Sequence, residues 1–328
     1  MGYSISVLNN IRANASEEYQ ARIPEATRTN ITTIGNALQT YTLLQNEFCE
    51  ALVNKIGKTI LETKLFQNKL ARFKSGALTT AQDVEEIFIE MASAEGSYDK
   101  SGPNPLGRRN PPDVKTIYHR LNRQDYYAVS IGDIDFIRVF RSEETLDSFI
   151  SGLINSIYSG ANYDEWIAMK NLLATYNKYF DYEVPVIGDA EDAKAFVKTL
   201  RKAVNDLSFA STEYNGAGVK TWSNPGDLVL LVNKDVVAEV DVEVLAKAFN
   251  MGKTDIQTEV IVMDDFGDLA DTYGLLVDKN FFRIWDTLSH MEPQRNAQGL
   301  FTNYFYHVHQ ILSLSTFKNA VRLKAVSA

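Results

Sequence analysis

Cysteine is nearly absent: the 328 residues contain one, Cys49. A lone thiol forms no internal disulfide, which excludes a disulfide-stapled fold and any cysteine-cluster metal site. Flanked by Phe48, Ala51 and Leu52, Cys49 is expected to be a buried structural thiol. Histidine is scarce too, limited to His119, His290, His307 and His309. Only His307 and His309, two apart on an expected strand, share a face. No H-E-x-x-H motif joins them, so they are expected to be ordinary hydrogen-bonded histidines, with no metal and no cofactor. Positive charge is in deficit, with 33 Lys and Arg against 42 Asp and Glu and a net charge of -9. Such a chain lacks the basic surface that broad nucleic-acid binding requires. An acidic wall can still enclose DNA and let it slide. No run of 18 apolar residues occurs, so no membrane span is expected. The opening stretch MGYSISVLNNIRANASEEYQ lacks the basic start and apolar run of a signal peptide, which points to synthesis and use in a cytoplasm.

Enzyme signals are equally thin. Gly252-Lys253-Thr254 has the last three letters of a phosphate-binding loop. The full motif needs a glycine five positions earlier, where Lys247 stands, and a strand before it. The stretch before it, DVEVLAKAFNM, reads as a helix through Val244, Leu245, Ala248 and Phe249, and Gly252 as its stop. Asp264 and Asp265 point to opposite faces if extended, a poor acid/base pair. No G-x-S-x-G elbow occurs. No catalytic residue is expected.

What the chain does contain is an ordered series of parts. Residues 1 to about 40 are polar without sustained periodicity and read as an arm. Leu44, Phe48, Leu52, Val53 and Ile56 have helical spacing, with Gly57 as a stop. Residues 59–73 are expected to include a strand. From Asp83 to Ala128, two β-branched and aromatic arms flank GSYDKSGPNPLGRRNPPDVK, which holds four of the eight prolines. Proline removes ladder donors, so this middle must be a loop at the tip of a long two-stranded excursion. An isolated ribbon is marginal in water and should rest on something, a neighbouring subunit being one candidate. Its loop and second arm, 108–123, carry Arg108, Arg109, Lys115, Arg120 and Arg123 against Asp113 alone.

Next, Leu146, Phe149, Ile150, Leu153, Ile154 and Ile157 follow helical spacing without a miss, and Trp166, Met169, Leu173, Tyr176 and Phe180 continue it. These predict a long helix across 143–180, capped by Ser142. Pro185 and Gly188 mark a boundary. A helix turning Ala193, Phe196, Val197, Leu200 and Val204 inward, a strand LVLLV and a strand EVIVM then build an α/β block. Residues 234–271 of it carry ten Asp and Glu against three Lys. The last 55 residues are β-rich, with Tyr304, Tyr306, Val308, Leu312 and Leu314 on one face.

Arm, hairpin excursion, spine helix, α/β block and closing sheet follow the order of parts in the Hong Kong 97-type capsid fold. The chain resembles the major capsid protein of small short-tailed phages of the Picovirinae, or phi29-like, group. The resemblance is carried by DVEVLAKAFNM (241–251), VKTIYHRLNRQ (114–124), INSIY (154–158) and MEPQRNAQGLFTNYFYHVHQILSLSTFKNAV (291–321). It implies an α+β fold with an N-terminal arm and helix (1–58), an E-loop hairpin with P-domain strands (59–142), a P-domain spine helix (143–183), an A-domain (184–272) and return strands (273–328). It implies self-assembly into pentamers and hexamers, a scaffolding protein, a portal at one vertex and enclosed double-stranded DNA, in a virion assembled in the host cytoplasm. It also implies the capsid core without the immunoglobulin-like surface domain of the best-known relative.

On this reading Arg108, Arg109, Lys115, Arg120 and Arg123 are the expected subunit-interface cations. Asp264 and Asp265 of the A-domain are their candidate partners, and Gly96, Gly102 and Gly107 the flexible points of the loop. An encapsulin-type nanocompartment, which shares the fold but encloses enzymes, is the first alternative. A soluble enzyme of unknown class is the second.

Overall fold

A computed structural model describes residues 3–41, 43–45, 47–48, 51, 66–78, 83–92, 111–132, 143–176, 178–187, 190–240 and 259–326. Its fold mixes helix and sheet in two compact units. The first comprises Met1–Ala71, Arg123–Trp166 and Asp286–Gln310; the second comprises Arg72–Asn122, Ile167–Trp285 and Ile311–Ala328. The expected helix at 241–250, the Gly252-Lys253-Thr254 turn and Cys49 lie outside the described residues.

In the first unit the expected polar arm is instead three helices: α1 (Tyr3–Asn14), α2 (Glu17–Arg22) and α3 (Ile31–Thr40). Their pattern was hidden because each is short and the breaks between them reset the helical period. Local hydrogen bonding makes those breaks. The Ser16 hydroxyl accepts from the Tyr19 N–H at 3.2 Å, and Glu17 and Glu18 sit in the positive first turn. At the other end Arg12 Nε donates to the Ile23 carbonyl at 2.7 Å and Nη2 to the Gln20 carbonyl at 3.0 Å, satisfying carbonyls a helix end leaves open. Asn9 clasps Ala26 in both directions, its amide donating to the carbonyl and its oxygen accepting the N–H. Ile5, Leu8, Ile11, Tyr19, Ile34 and Leu38 thereby join one core with Leu44 and Phe48.

That core covers one face of a sheet. Strand β4 (Arg123–Gly132) pairs antiparallel with β10 (Phe301–Leu314), from Phe301 opposite Gly132 to Gln310 opposite Arg123. Strand β9 (Phe282–Asn296) lies on the other side of β10, and β1 (Lys74–Ala77) follows it at the edge of the sheet. Tyr127, Val129, Ile131, Met291, Tyr304 and Tyr306 face the helices. The spine helix, α4 (Glu143–Thr175), begins in this unit and adds Ile157 and Tyr158. At 33 residues it is roughly 50 Å long. It ends at Thr175, short of the expected 180: Phe180 opens a strand, and Tyr176 leaves the helix to pack edge-on against Phe281.

The second unit holds a five-stranded sheet in the order β5-β11-β8-β6-β7, from β5 (Phe180–Pro185), β6 (Leu228–Asn233), β7 (Glu259–Met263), β8 (Thr272–Asp278) and β11 (Ala320–Val326). β6, read from LVLLV, is buried on both faces, as an unalternating apolar run requires. The amphipathic helix α5 (Ala190–Leu207) packs Phe196, Val197, Leu200 and Val204 against it, as their spacing predicts. At Gly274 a Cβ would stand 3.0 Å from the Leu231 carbonyl, so close approach of β8 to β6 fixes glycine there. A short helix, α6 (Lys234–Glu239), follows β6 and is capped by Asn233. The same unit carries the two-stranded ribbon β2 (Val84–Ile89) and β3 (Val114–His119).

Candidate assembly interface

The ribbon has two chemically different faces. The register sets Ile87 opposite Thr116, Ile89 opposite Val114 and Glu85 opposite Tyr118 on one side. Glu86, Phe88, Lys115 and His119 take the other. This second side has a bed in its own chain. Phe88 packs on Phe317 at 5.4 Å between ring centroids, and His119 lies against Trp285. His119 Nδ1 and Ser313 Oγ are 2.7 Å apart, and its Nε2 is 3.1 Å from Glu86 Oε2. Arg283 Nη2 donates to Glu86 Oε1 at 2.5 Å. Burial works to raise the Glu86 carboxyl above its ordinary range. The hydrogen bonds from His119, Arg283 and Ser315, with the charge of Arg283, overcome that and hold it at about 2. The ribbon's base is therefore pinned by a partly buried anion, and the chain supplies part of the support that the sequence alone left open.

The other side has no such bed among the described residues. Ile87 is 55 % exposed and Ile89 61 %, with Val114 and Tyr118 close to half exposed beside them. Four large apolar side chains on one face of a two-stranded ribbon form a contiguous patch, the kind of surface that marks an association site.

The basic residues expected to line this interface separate into three groups. Arg108, Arg109 and the glycines Gly96, Gly102 and Gly107 lie outside the described residues. Lys115 and Arg120 are on the ribbon, each with an acid from the facing strand or its approach: Lys115 Nζ is 3.3 Å from Glu90 Oε1, and Arg120 Nε is 3.1 Å from Asp83 Oδ2. Arg120 remains largely exposed and available to a second acid.

Arg123 is a correction. The expected second arm, continuous from 114 to 128, breaks at Arg120-Leu121-Asn122, and Arg123 starts β4 instead. It is 7 % exposed and tied to its own unit. Its Nε donates to Asp125 at 2.6 Å, Nη1 to Gln310 Oε1 at 2.6 Å and Nη2 to the Tyr127 hydroxyl at 2.9 Å. A buried guanidinium with that many partners is structural rather than a docking cation.

Gln310 is the hub that the sequence did not reveal. It falls on the inward face with Tyr304, Val308 and Leu312, and its polarity kept it out of the apolar pattern. Its amide nitrogen donates to Glu165 Oε2 and to Asp286 Oδ1, both at 2.6 Å, while its oxygen accepts from Arg123. Asn68 Nδ2 reaches the other Glu165 oxygen at 2.7 Å. One buried amide thus joins β4, β9, β10 and the spine helix.

Asp264 and Asp265 come together, against the expectation of opposite faces, because they lie in the turn after β7. Both reach Lys170 of the spine helix: its Nζ is 3.0 Å from Asp264 Oδ2 and 2.9 Å from Asp265 Oδ1. The Lys170 side chain is 6 % exposed while the two carboxylates are about half exposed. Desolvation works to lower the Lys170 pKa, and the hydrogen bonds and charges of the two aspartates outweigh it, so the net direction is up. The Lys170 hydrogen bond draws Asp265 down. The pair is anchored within its own chain: all four carboxylate oxygens lie within 3.2 Å of Lys170 Nζ, although both side chains stay about half exposed.

No helix among the described residues is long and apolar enough to cross a membrane. The outer face of the ribbon stays uncovered among the described residues. The family described as Phi29-like phage major capsid protein matches residues 8–324. The major capsid protein of Bacillus phage B103 is 36 % identical over 325 residues, covering 97 % of this chain and 72 % of that one. The major capsid protein of Streptococcus phage Cp-1 is 31 % identical over 343 residues, covering 96 % and 93 %. Among solved structures, a chain in the capsid structure of Staphylococcus phage Andhra superposes with a TM-score of 0.65 at 13 % identity, covering 81 % of this chain and 86 % of that one. At that identity the likeness speaks for the Hong Kong 97-type fold alone. The nanocompartment and soluble-enzyme alternatives give way to the phage-head reading.

Proposed function

The chain belongs to the Phi29-like phage major capsid protein family, and from that membership we propose how it builds and fills a head. Its role is structural: it assembles with its own copies into the virion shell. The finer reading is that pentamers and hexamers of this chain close an icosahedral or prolate head around double-stranded DNA, with a scaffolding protein during assembly and a portal at one vertex. No catalysis is part of this role.

The observation that carries the reading is the two-faced ribbon. One face is fixed to the chain's own body through Glu86, Phe88 and His119, while the other presents Ile87, Ile89, Val114 and Tyr118. We assign that outer face to an adjacent copy. The full burial of an aliphatic side chain is worth about 1.5–3 kcal/mol, so covering these half-exposed groups contributes a few kcal/mol per contact. Repetition around a closed shell multiplies a modest contact into a stable assembly. Charges around the patch, such as the exposed Arg120, set register and rate more than affinity. The net charge of -9 suits a container that must hold DNA without gripping it.

The test is to express the chain alone and together with the scaffolding protein of its phage, and to examine both by electron microscopy and sedimentation. Shells, tubes or capsomers are expected. A folded monomer under both conditions would sink the reading.

A further inference from the structure

The loop between α5 and β6 is built with more care than a connector needs. Helix α5 ends with the Ser208 and Phe209 N–H groups bonding back to Asn205 and Asp206. Ser211 and Thr221 then form an isolated antiparallel bridge, exchanging N–H to carbonyl bonds of 3.0 and 3.1 Å. Inside the loop the Asn215 side chain clamps Val219 from both sides, donating to its carbonyl at 2.7 Å and accepting its N–H at 2.9 Å. At the exit the buried Ser223 hydroxyl is 3.1 Å from Asp278 Oδ2 and accepts from Asn319 Nδ2 at 3.1 Å, and its N–H bonds to the Leu207 carbonyl at 2.8 Å. Asn215, Val219, Ser223 and Asn319 are all buried.

This rigid frame holds two bulky apolar side chains in solvent. Phe209 is 74 % exposed and Trp222 49 %. Phe209 lies two residues before one bridged residue and Trp222 directly after the other, so the bridge gathers them at the same end of the loop. A fixed backbone carrying exposed aromatics lowers the ordering cost of binding, and tryptophan is among the residues enriched at interface hot spots. The loop also touches the ribbon: the Lys220 N–H is 3.4 Å from Glu90 Oε2, and the other Glu90 oxygen holds Lys115. Through Glu90, which follows Ile89 at the end of β2, the loop is tied to the ribbon.

We propose that Phe209 and Trp222 form a second intersubunit contact, an aromatic knob received by an apolar recess on an adjacent copy of this chain. The proposal rests on the shell reading, because copies of the chain are the partners that assembly brings against it. The knob and the ribbon then dock together, the loop supplying a rigid anchor and the ribbon an extended one.

The experiment compares the full chain with the double variant Phe209→Ser/Trp222→Ser under the conditions that give wild-type particles. Hydroxyl-radical footprinting of wild-type particles and unassembled chain runs alongside, with the buried Trp166 as an unreactive reference. The expected results are an assembled fraction reduced at least about tenfold in a variant that keeps its circular dichroism, and several-fold protection of Trp222 in particles. If the variant fails to fold, the wild-type footprint decides. A photocrosslinker at position 209 should capture a second copy of this chain. Particles formed at wild-type yield by the variant, Trp222 equally reactive before and after assembly, or capture of a different polypeptide would each overturn the proposal. Failure of the wild type to assemble at all would overturn the shell reading and the knob with it, which separates the two.

Discussion

Arg123 donates to Gln310 across the first pair of the β4–β10 ladder, 2.6 Å from Nη1 to Oε1, with both side chains shut off from solvent. The same amide serves Glu165 and Asp286, so its oxygen and both of its hydrogens are engaged. A buried network of this kind is stabilising only while complete, since losing the hub leaves several polar groups without their partner at once. Gln310→Leu should therefore cost about 3 kcal/mol despite replacing a polar residue with an apolar one of similar size. Chemical denaturation of the unassembled chain measures it. A loss under 1 kcal/mol, on the order of an ordinary surface change, would show that the network is dispensable.

The Glu86 anchor gives a pH signature with a definite sign. Its folded-state pKa, about 2, lies below its ordinary 4.5. The stabilisation it supplies is thus complete above 4.5 and lost as pH falls toward 2. Glu86→Gln should lower stability at neutral pH by about 2 kcal/mol, the scale of charge-assisted hydrogen bonds. The gap between wild type and variant should close as pH drops through that window. Urea midpoints from pH 6 downward read both effects; a gap constant with pH would show that the carboxylate's charge is not what pins the ribbon.

Lys170 reaches two aspartates from a nearly sealed position on the spine helix, whereas each aspartate keeps solvent. The loss should therefore depend on which partner is removed. Asp264→Asn or Asp265→Asn alone leaves the ammonium one carboxylate and costs little. The double variant leaves a desolvated cation unpaired and costs more than the sum of the two singles. Lys170→Met removes that problem and should be milder than the double aspartate variant. A double-mutant cycle on thermal stability decides, and strict additivity would show that the two aspartates act independently.

How far the sequence revealed this molecule depended on whether a residue's pattern and its role agreed. LVLLV, EVIVM and the α5 face at Phe196, Val197 and Leu200 were legible because burial alone dictates them. The helices of residues 3–40 were not, because Ser16 and Pro24 interrupt the period before any window can register it. The ribbon was visible from its proline-rich tip. Its lower limit was not, since VKTIYHRLNRQDYYAVSI reads as one β-rich run and only the break at 120–122 divides it between two sheets. Among the site residues, Arg120 stayed an exposed cation, while Arg123, alike in sequence, became structural. They stand three positions apart, and the difference is a tertiary partner, Gln310, far along the chain. Phe209 and Trp222 belong to no periodic pattern, and only the Ser211–Thr221 bridge places them together.

The outer face of the ribbon offers the cleanest separation of folding from assembly. Ile87 and Ile89 project away from the chain's own body, and neither contributes to its buried core. Ile87→Ser/Ile89→Ser should leave the unfolding free energy within about 0.5 kcal/mol of wild type, as surface changes do. In a shell every copy would lose the same apolar contact, so the deficit recurs at each junction and assembly should be abolished or arrested at small oligomers. Glu86→Gln should act in the opposite order, weakening the chain first and assembly only through the displaced ribbon. Measuring denaturation and sedimentation on both variants distinguishes the two faces. If the double isoleucine variant unfolds early, the outer face is covered by its own chain; if it assembles normally, the ribbon is not a subunit contact.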